Sequence, residues 1–467
     1  MTAPGARIDP PLLRTAFVLV LGTFMATLDA TIVAVGVDRL AEDFGAGVTE
    51  VQWVTTAYLL AVVASVPASG WLADRFGGRR VWLGALGVFL LGSALCAVAW
   101  SLPSLVVFRV VQGVGGGLLP PTGQALLARV AGPGRIGRLI SVVGVVPLLS
   151  PVLGPLVGGT LLAVADWPWL FLVNLPIGVV AAVLAVRHVP SAPPSDARAR
   201  FDLVGALLLA PGLAVLVLGL TGDGGPAVSA AGVALGVLAL VAFTRHGLRA
   251  RDVPPLVDPR LFTRPPFGVA ALALLLLGAS VFGTMFLLPL YLQGGGGLTP
   301  WRTGLLLAPQ GVGAAAGSVL VNRLVDRTAP RVLVLSGIGL VALGTVPFTQ
   351  LHHAPPDALV AGALLVRGVG AALVSAPVLA TVYRSLPPRG LPGAAGALNL
   401  LNTVGGSLGT ALLAVLLGGR LAARGPDVAA AYADTFWWVL ALVLVAAAGA
   451  TRLPASPPVS PKDAKDD

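Results

Sequence analysis

Charge is what this chain has least of: 11% of its 467 residues are Asp, Glu, Lys or Arg, against about 25% in soluble domains. A shortage of that size excludes an ordinary water-soluble fold. Lysine is almost missing, with only Lys462 and Lys465, both in the tail. Neither a phosphate-binding Walker loop nor a Schiff-base lysine can therefore sit in the body of the chain, and its energy source is not ATP bound by this chain. The single cysteine, Cys96, excludes an intrachain disulfide and reads as a small buried hydrophobe in an apolar run. No paired carboxylates, metal cluster or Ser/Cys–His arrangement falls at an interface, which argues against a polytopic membrane enzyme. His352 and His353 are adjacent in an expected outer loop, with Asp357 near, and read as solvent-exposed rather than as a metal site. The runs Gly115–Gly117 and Gly294–Gly297 follow no strand and are not nucleotide loops. No metal and no cofactor are expected.

What the chain does have is apolar length: 56% hydrophobic residues and a mean hydropathy of +0.91. A bilayer core takes about 20 apolar residues per helix. That ruler predicts an all-α polytopic membrane protein of fourteen spans, at 15–36, 50–72, 81–100, 103–128, 138–164, 169–187, 203–221, 227–244, 267–292, 302–322, 332–351, 357–383, 393–418 and 434–451. The first is too long and too acidic for a cleaved signal peptide, and thirteen more follow it. The net charge of +10 comes from arginines in short clusters between the runs, the footprint of membrane orientation and not of a nucleic-acid binder. With the N-terminus in the cytoplasm, 24 of the 30 Lys and Arg fall inside, four (Arg39, Arg302, Arg420, Arg424) outside, and two (Arg109, Arg367) within spans. Both termini are then cytoplasmic in a multi-pass plasma (inner) membrane protein. The Pro- and Arg-rich linkers at 188–201 and 245–266 mark a division into 1–188, an inserted 189–266 with two spans, 267–453, and a disordered tail 454–467.

Of the 20 acidic residues, only Asp29 lies deep inside an apolar run. A charge there costs about 2.5–3.5 kcal/mol on insertion scales and is by default a functional residue. Burial favours a neutral carboxyl and a nearby guanidinium favours the ionised one, so Asp29 is a candidate proton carrier. Arg109 enters from the opposite end of span four to a similar depth, about 9 Å against about 10–12 Å from the outer surface. It can pair with Asp29 or with span-one backbone. A static buried ion pair is the competing reading.

Two segments recur. Gly70-Trp-Leu-Ala-Asp74-Arg75-Phe-Gly77-Gly78-Arg79-Arg80 is echoed by Asn322-Arg-Leu-Val-Asp326-Arg327-Thr-Ala-Pro-Arg331, and Val111-Gln112-Gly113-Val114-Gly115 by Val366-Arg367-Gly368-Val369-Gly370. The spacing implies a duplicated six-span half with two spans inserted between the copies, and sites near the midplane between rocking halves. These motifs resemble those of the major facilitator superfamily and, within it, the fourteen-span drug:proton antiporters of the EmrB/QacA type. Residues 70–80 match the family's signature loop, and Arg109-Val-Val-Gln112-Gly113 its fourth-span motif. Gly154-Pro155-Leu-Val-Gly158-Gly159, in a span with Gly144, Pro147 and Pro151, matches its antiporter motif. Leu28-Asp29-Ala30-Thr31-Ile32-Val33, Trp167-Pro-Trp169-Leu-Phe171-Leu-Val-Asn174-Leu-Pro176-Ile-Gly178 and Tyr291-Leu-Gln293 resemble group marks. Ala34, Asp38 and Asn402 depart from the pattern and weaken inference of the cargo.

The resemblance implies a proton-coupled exporter of small lipophilic compounds, drugs or antibiotics, with protons, a small molecule and the bilayer as its partners and a monomer expected. Asp29 and Arg109 would couple protons. Gly70, Asp74, Arg75, Gly77, Arg79 and Arg80 would form a cytoplasmic latch; orientation alone is the other use of those arginines. Pro147, Pro151, Gly154, Pro155, Gly158 and Gly159 would seal the exchanger against leak or simply pack closely. Polar and aromatic residues inside spans are the substrate-binding candidates: Trp53, Tyr58, Gln112, Gln124, Arg367, Asn399 and Asn402, with Gln52 beside them. One carboxylate among aromatics suits a lipophilic monocation or a neutral amphiphile. Arg367, about 16 Å into its span, suits an acidic or zwitterionic metabolite instead, or is a structural arginine bonded to carbonyls.

Overall fold

The computed structural model describes residues 9–455 except 133–134, 136–138, 140–144, 192–193, 195–199, 222–224, 251–252, 265–266, 296, 326, 354 and 387–390. Gly144, Asp326 and the tail from 456 lie outside the described residues, as do the side chains of Asp38, Gln52, Pro147, Pro151 and Pro155.

Every regular element among the described residues is helical. In chain order they are α1 (Pro10–Ile32), α2 (Val37–Phe44), α3 (Val48–Ser65), α4 (Ala68–Phe76), α5 (Gly78–Ala97), α6 (Leu102–Ala131), α7 (Val145–Val164), α8 (Trp169–Leu172) and α9 (Asn174–His188). Then come α10 (Leu203–Thr221) and α11 (Pro226–Arg249), followed by α12 (Phe267–Leu290), α13 (Pro300–Leu324), α14 (Pro330–Thr345), α15 (Asp357–Ser385), α16 (Leu391–Arg424) and α17 (Val428–Ala450). A bilayer leaves backbone groups no water to bond with, which is why helices carry the whole architecture.

Twelve helical stretches among the described residues are long and apolar enough to cross a membrane, or thirteen candidate spans when α3 and α4 count as one. The expected fourteen is therefore not reached on this measure; α7, twenty residues long, occupies the stretch expected as the fifth span. The second span is bent by 55° between Trp53–Ser65 and Ala68–Phe76. Pro67, at the start of α4, lacks the amide that would continue the α3 ladder. The first helix starts earlier than expected and runs through a 3-10 turn (Val33–Gly36) into the short, charged α2. Gly45, at φ 60°, ends that extension. Ser101 and Ser104 cap the start of α6 reciprocally, at 3.3 and 3.1 Å.

The packing repeats. α6 lies between α3 and α5 as α15 lies between α13 and α14, and α1 contacts α6, α7 and α9 as α12 contacts α15, α16 and α17. The two groups meet where α7 touches α13 and where α16 touches α4 and α6. α10 and α11 pair with each other, and α10 leans on both α3 and α16. Their linker ends are pinned by buried Asp202, which accepts from the amides of Gly205 (2.8 Å) and Leu256 (3.4 Å) and lies 2.8 Å from His246 Nε2.

Candidate functional site

Asp29 is fully buried on α1. Its Oδ2 accepts from Arg109 Nη1 on α6. Its Oδ1 accepts from Gln112 Nε2, one helical turn along the same helix, and from Asn174 Nδ2 at the start of α9, each at 2.8 Å. Ser93 on α5 closes the cluster: its hydroxyl accepts from Gln112 (3.2 Å) and Asn174 (3.1 Å) and donates to the Phe171 carbonyl (2.8 Å). Arg109 is also fully buried; it donates through Nε to the Val54 carbonyl (3.1 Å) and through Nη1 to Gln112 Oε1 (2.8 Å). The Tyr58 ring lies 4.0 Å from its guanidinium carbon, while the Tyr58 hydroxyl donates to the Ala26 carbonyl at 2.9 Å. Five helices (α1, α3, α5, α6 and α9) thus converge on one carboxylate.

Small residues make the approach possible. A Cβ on Gly92 would sit 2.7 Å from Gln112 Cβ, and one on Gly113 would sit 2.8 Å from Ala61 Cβ, so α5 and α3 reach α6 only through glycine. On the far flank of α1, Thr27 Oγ1 lies 2.7 Å from Ser150 Oγ, and Thr31 Oγ1 donates to the Ser150 carbonyl at 3.2 Å. A Cβ on Gly154 would sit 2.7 Å from Thr31 Cβ, so α7 grips α1 directly beside Asp29. Pro147, Pro151 and Pro155 lie on α7, with their side chains outside the described set. Gly158 is buried there and Gly159 exposed.

The substrate-binding candidates do not gather in one place. Tyr58 and Gln112 belong to the Asp29 cluster. Trp53 is 45% exposed. Gln124 and Asn399 meet across the two groups: Gln124 Oε1 accepts from Asn399 Nδ2 (2.8 Å, α16) and from the Tyr383 hydroxyl (3.2 Å, α15). Asn402 turns the other way and donates to the Leu274 carbonyl on α12 at 3.3 Å. Arg367 is buried inside the second group, bonded to Thr345 and Ser280.

Of the latch candidates, Asp74 accepts from Arg129 at the end of α6 (3.2 Å), and Arg79 donates to the Val186 carbonyl on α9 (2.6 Å). Gly77 turns the chain from α4 to α5 at φ 86°. Arg75 is half-buried and Arg80 exposed. Gly70 faces the second group, where a Cβ on Gly396 of α16 would sit 2.8 Å from Ser69 Oγ. No group of three or more metal-ligating side chains occurs among the described residues.

Sequence reasoning singled out Asp29, Arg109 and Gln112 but gave no role to Ser93 or Asn174. Asn174 carried a readable signal, an amide inside an apolar stretch. Ser93 carried none, since a lone serine in a membrane helix commonly bonds its own backbone.

Comparison with known proteins follows the same lines. A family model described as Major Facilitator Superfamily matches residues 19–410. The chain is 40% identical over 418 residues to a "Multidrug resistance protein B homolog" of Mycobacterium tuberculosis, covering 88% of this chain and 77% of that one. It is 30% identical over 449 residues to a "Putative multidrug resistance protein MdtD" of Serratia proteamaculans, covering 94% and 93%. Among solved structures, the proton:xylose symporter XylE superposes with a TM-score of 0.68 over 95% of each chain at 14% identity.

Proposed function

This chain belongs to the major facilitator superfamily, and on that premise we propose that it exports small lipophilic compounds, drugs or antibiotics among them, in exchange for protons by alternating access. The relatives' names speak of multidrug resistance, which supports efflux as the direction. We place it with the fourteen-span antiporters, counting α7 as a span beside the thirteen, and set both termini in the cytoplasm of a plasma (inner) membrane on its arginine distribution. On this reading residues 1–188 and 267–453 are the rocking halves and α10–α11 an inserted hairpin.

The observation that carries proton coupling is the buried Asp29 with a guanidinium and two amides on it. Ionised, Asp29 binds α1 to α6 and α9. A proton added to the carboxyl removes the Coulomb attraction, and Arg109 then rests on the Val54 carbonyl, Gln112 and the Tyr58 ring. α1 is freed to shift against α6. Its Thr27 and Thr31 contacts pass that shift to α7, and α7 abuts α13 of the other half. The polar clasp of Gln124 with Tyr383 and Asn399 is the inter-half contact that has to open on the cytoplasmic side. Asp29 sealed inside one half means cargo and proton do not compete for one carboxylate; exchange is enforced through closure of the halves.

The energetics suffice. One proton crossing 100 mV supplies about 2.3 kcal/mol, and a tenfold gradient of a neutral compound needs about 1.4 kcal/mol. The test is uptake of a neutral lipophilic dye into inside-out vesicles with an imposed proton gradient. Accumulation that collapses with a protonophore and is absent in Asp29→Asn is the expected outcome; accumulation unaffected by the protonophore would overturn the reading.

A further inference from the structure

The second half contains a copy of the Asp29 cluster in which the acid is absent and a single arginine remains. Arg367 stands where the first half has Gln112, 255 residues earlier, and Thr345 where it has Ser93, 252 earlier. Ser280 stands 251 residues after Asp29, Gln310 stands 252 after Tyr58, and Leu364 stands 255 after Arg109. The packing repeats with the sequence. A Cβ on Gly92 would press on Gln112, and one on Gly344 on Arg367. One on Gly113 would press on the Tyr58 carbonyl, and one on Gly368 on that of Gln310. The hydrogen bonds repeat as well. Gln112 donates to Ser93 and to Asp29. Arg367 donates to Thr345 Oγ1 (2.6 Å) and to Ser280, at the carbonyl (3.1 Å) and hydroxyl (3.2 Å).

The two copies differ in what balances the charge. Asp29 and Arg109 neutralise each other. Arg367, 1% exposed, has hydroxyls and a carbonyl on its donors but no carboxylate among the described residues, and its Nε has no hydrogen-bond partner. Leu364 and Ser280 carry no charge that could offset it. Hydrogen bonds to neutral oxygens satisfy a guanidinium's donors without cancelling its field. In a low-dielectric interior that field reaches neighbouring space only weakly screened. Arg367 is turned into the second group, and Tyr383, about 24 Å further along the same helix, is the residue of α15 that reaches Gln124 of the other half, so the charge acts at a distance and not by contact. The buried acid of the first half does not offset it, because the charge of Asp29 is already balanced by Arg109.

We propose, building on the exchange reading above, that Arg367 sets the charge preference of the cargo, favouring acidic or neutral lipophiles over permanent cations. It is a specificity-determining residue that acts through its field and need not touch the cargo. The preference expected is about tenfold per unit of cargo charge, the effect of one unpaired charge roughly 10 Å away at an effective dielectric constant of about 20.

The test uses the purified full-length protein in liposomes, a proton gradient, and three lipophilic probes of matched size: a monoanion, a neutral compound and a monocation. Arg367→Gln installs the residue type that the first half accommodates at the same place. Ser280→Asp leaves Arg367 in position and supplies the carboxylate it lacks. Wild type is expected to transport the anion faster than the cation, and both variants to move that ratio toward the cation by about tenfold or more, with proton-driven transport of the neutral probe retained in Arg367→Gln. A purely structural arginine predicts slower transport of all three probes at an unchanged ratio, and that result overturns the proposal, as does a wild-type preference for the cation. If the neutral probe responds to the gradient and to Asp29→Asn while the ratio never moves, the charge proposal alone falls. If no probe responds to the gradient, the exchange reading falls and takes this proposal with it.

Discussion

A carboxylate that accepts from one guanidinium and two amides is well placed only while it is ionised. Asp29 is in that position, and Arg109 is the partner whose shape matters. Its Nε and Nη1 serve three acceptors on three helices (Val54, Gln112 and Asp29), while its flat face lies over Tyr58. A lysine offers a point charge on a flexible stem and cannot span those acceptors. Arg109→Lys is therefore expected to fold and to lose proton-driven transport by a factor of about ten or more, read as initial uptake rate. Arg109→Leu is expected to destabilise the protein by about 3–5 kcal/mol, seen as a lower melting temperature in detergent, because it strands a buried carboxylate. Near-wild-type melting of Arg109→Leu would argue that the pair is not the tie described here. At this scale the sequence was legible where a residue type was out of place. Asp29 and Arg109 announced themselves as charges in apolar runs, and equal depth brought them together. Tyr58 did not, since an aromatic inside a span suits cargo, belt or core alike; only the fold puts it under Arg109.

The helices hold the cluster through close approach, and that is where α7 acts. Gly154 lets α7 lie against Thr31, two residues from Asp29. Gly154→Val would force the two helices apart, at about 1–3 kcal/mol of overpacking, and is expected to slow transport with little change in the melting of the other helices' contacts. Unimpaired transport in that variant would remove α7 from the relay. Apolar runs of about 20 residues were sufficient to find nearly every helix. The bend in the second span was written at Pro67 yet missed, because a straight count of apolar residues does not ask where an amide is lacking. The charged extension α2 was missed for the opposite reason: Arg39, Glu42 and Asp43 read as loop, but they are held on a helix with Arg39 and Glu42 paired at 3.4 Å.

Two groups of helices pack alike, with a hairpin that leans on both, and on the exchange reading they rock against each other. The duplication was legible from two short motifs and their offsets. The use of individual residues between the copies was not, because contact between halves depends on the state of closure and leaves no periodicity. Gln124 and Asn399 looked like cargo ligands in sequence; in the fold they clasp each other. Paired substitutions Gln124→Cys and Asn399→Cys are expected to crosslink readily in the resting protein and to arrest transport when crosslinked, with reduction restoring it. Crosslinked protein that transports normally would show that this contact does not need to open.

The account rests on Asp29 carrying the proton and not merely tying helices, and one comparison separates those roles. In the same liposomes, proton-driven accumulation of a neutral probe is measured beside its exchange at equal pH, for wild type and Asp29→Asn. The account predicts that Asp29→Asn loses accumulation and keeps exchange, since a neutral amide mimics the protonated acid and leaves α1 free to shift but cannot cycle a proton. Loss of both activities together, or retention of accumulation, would contradict it.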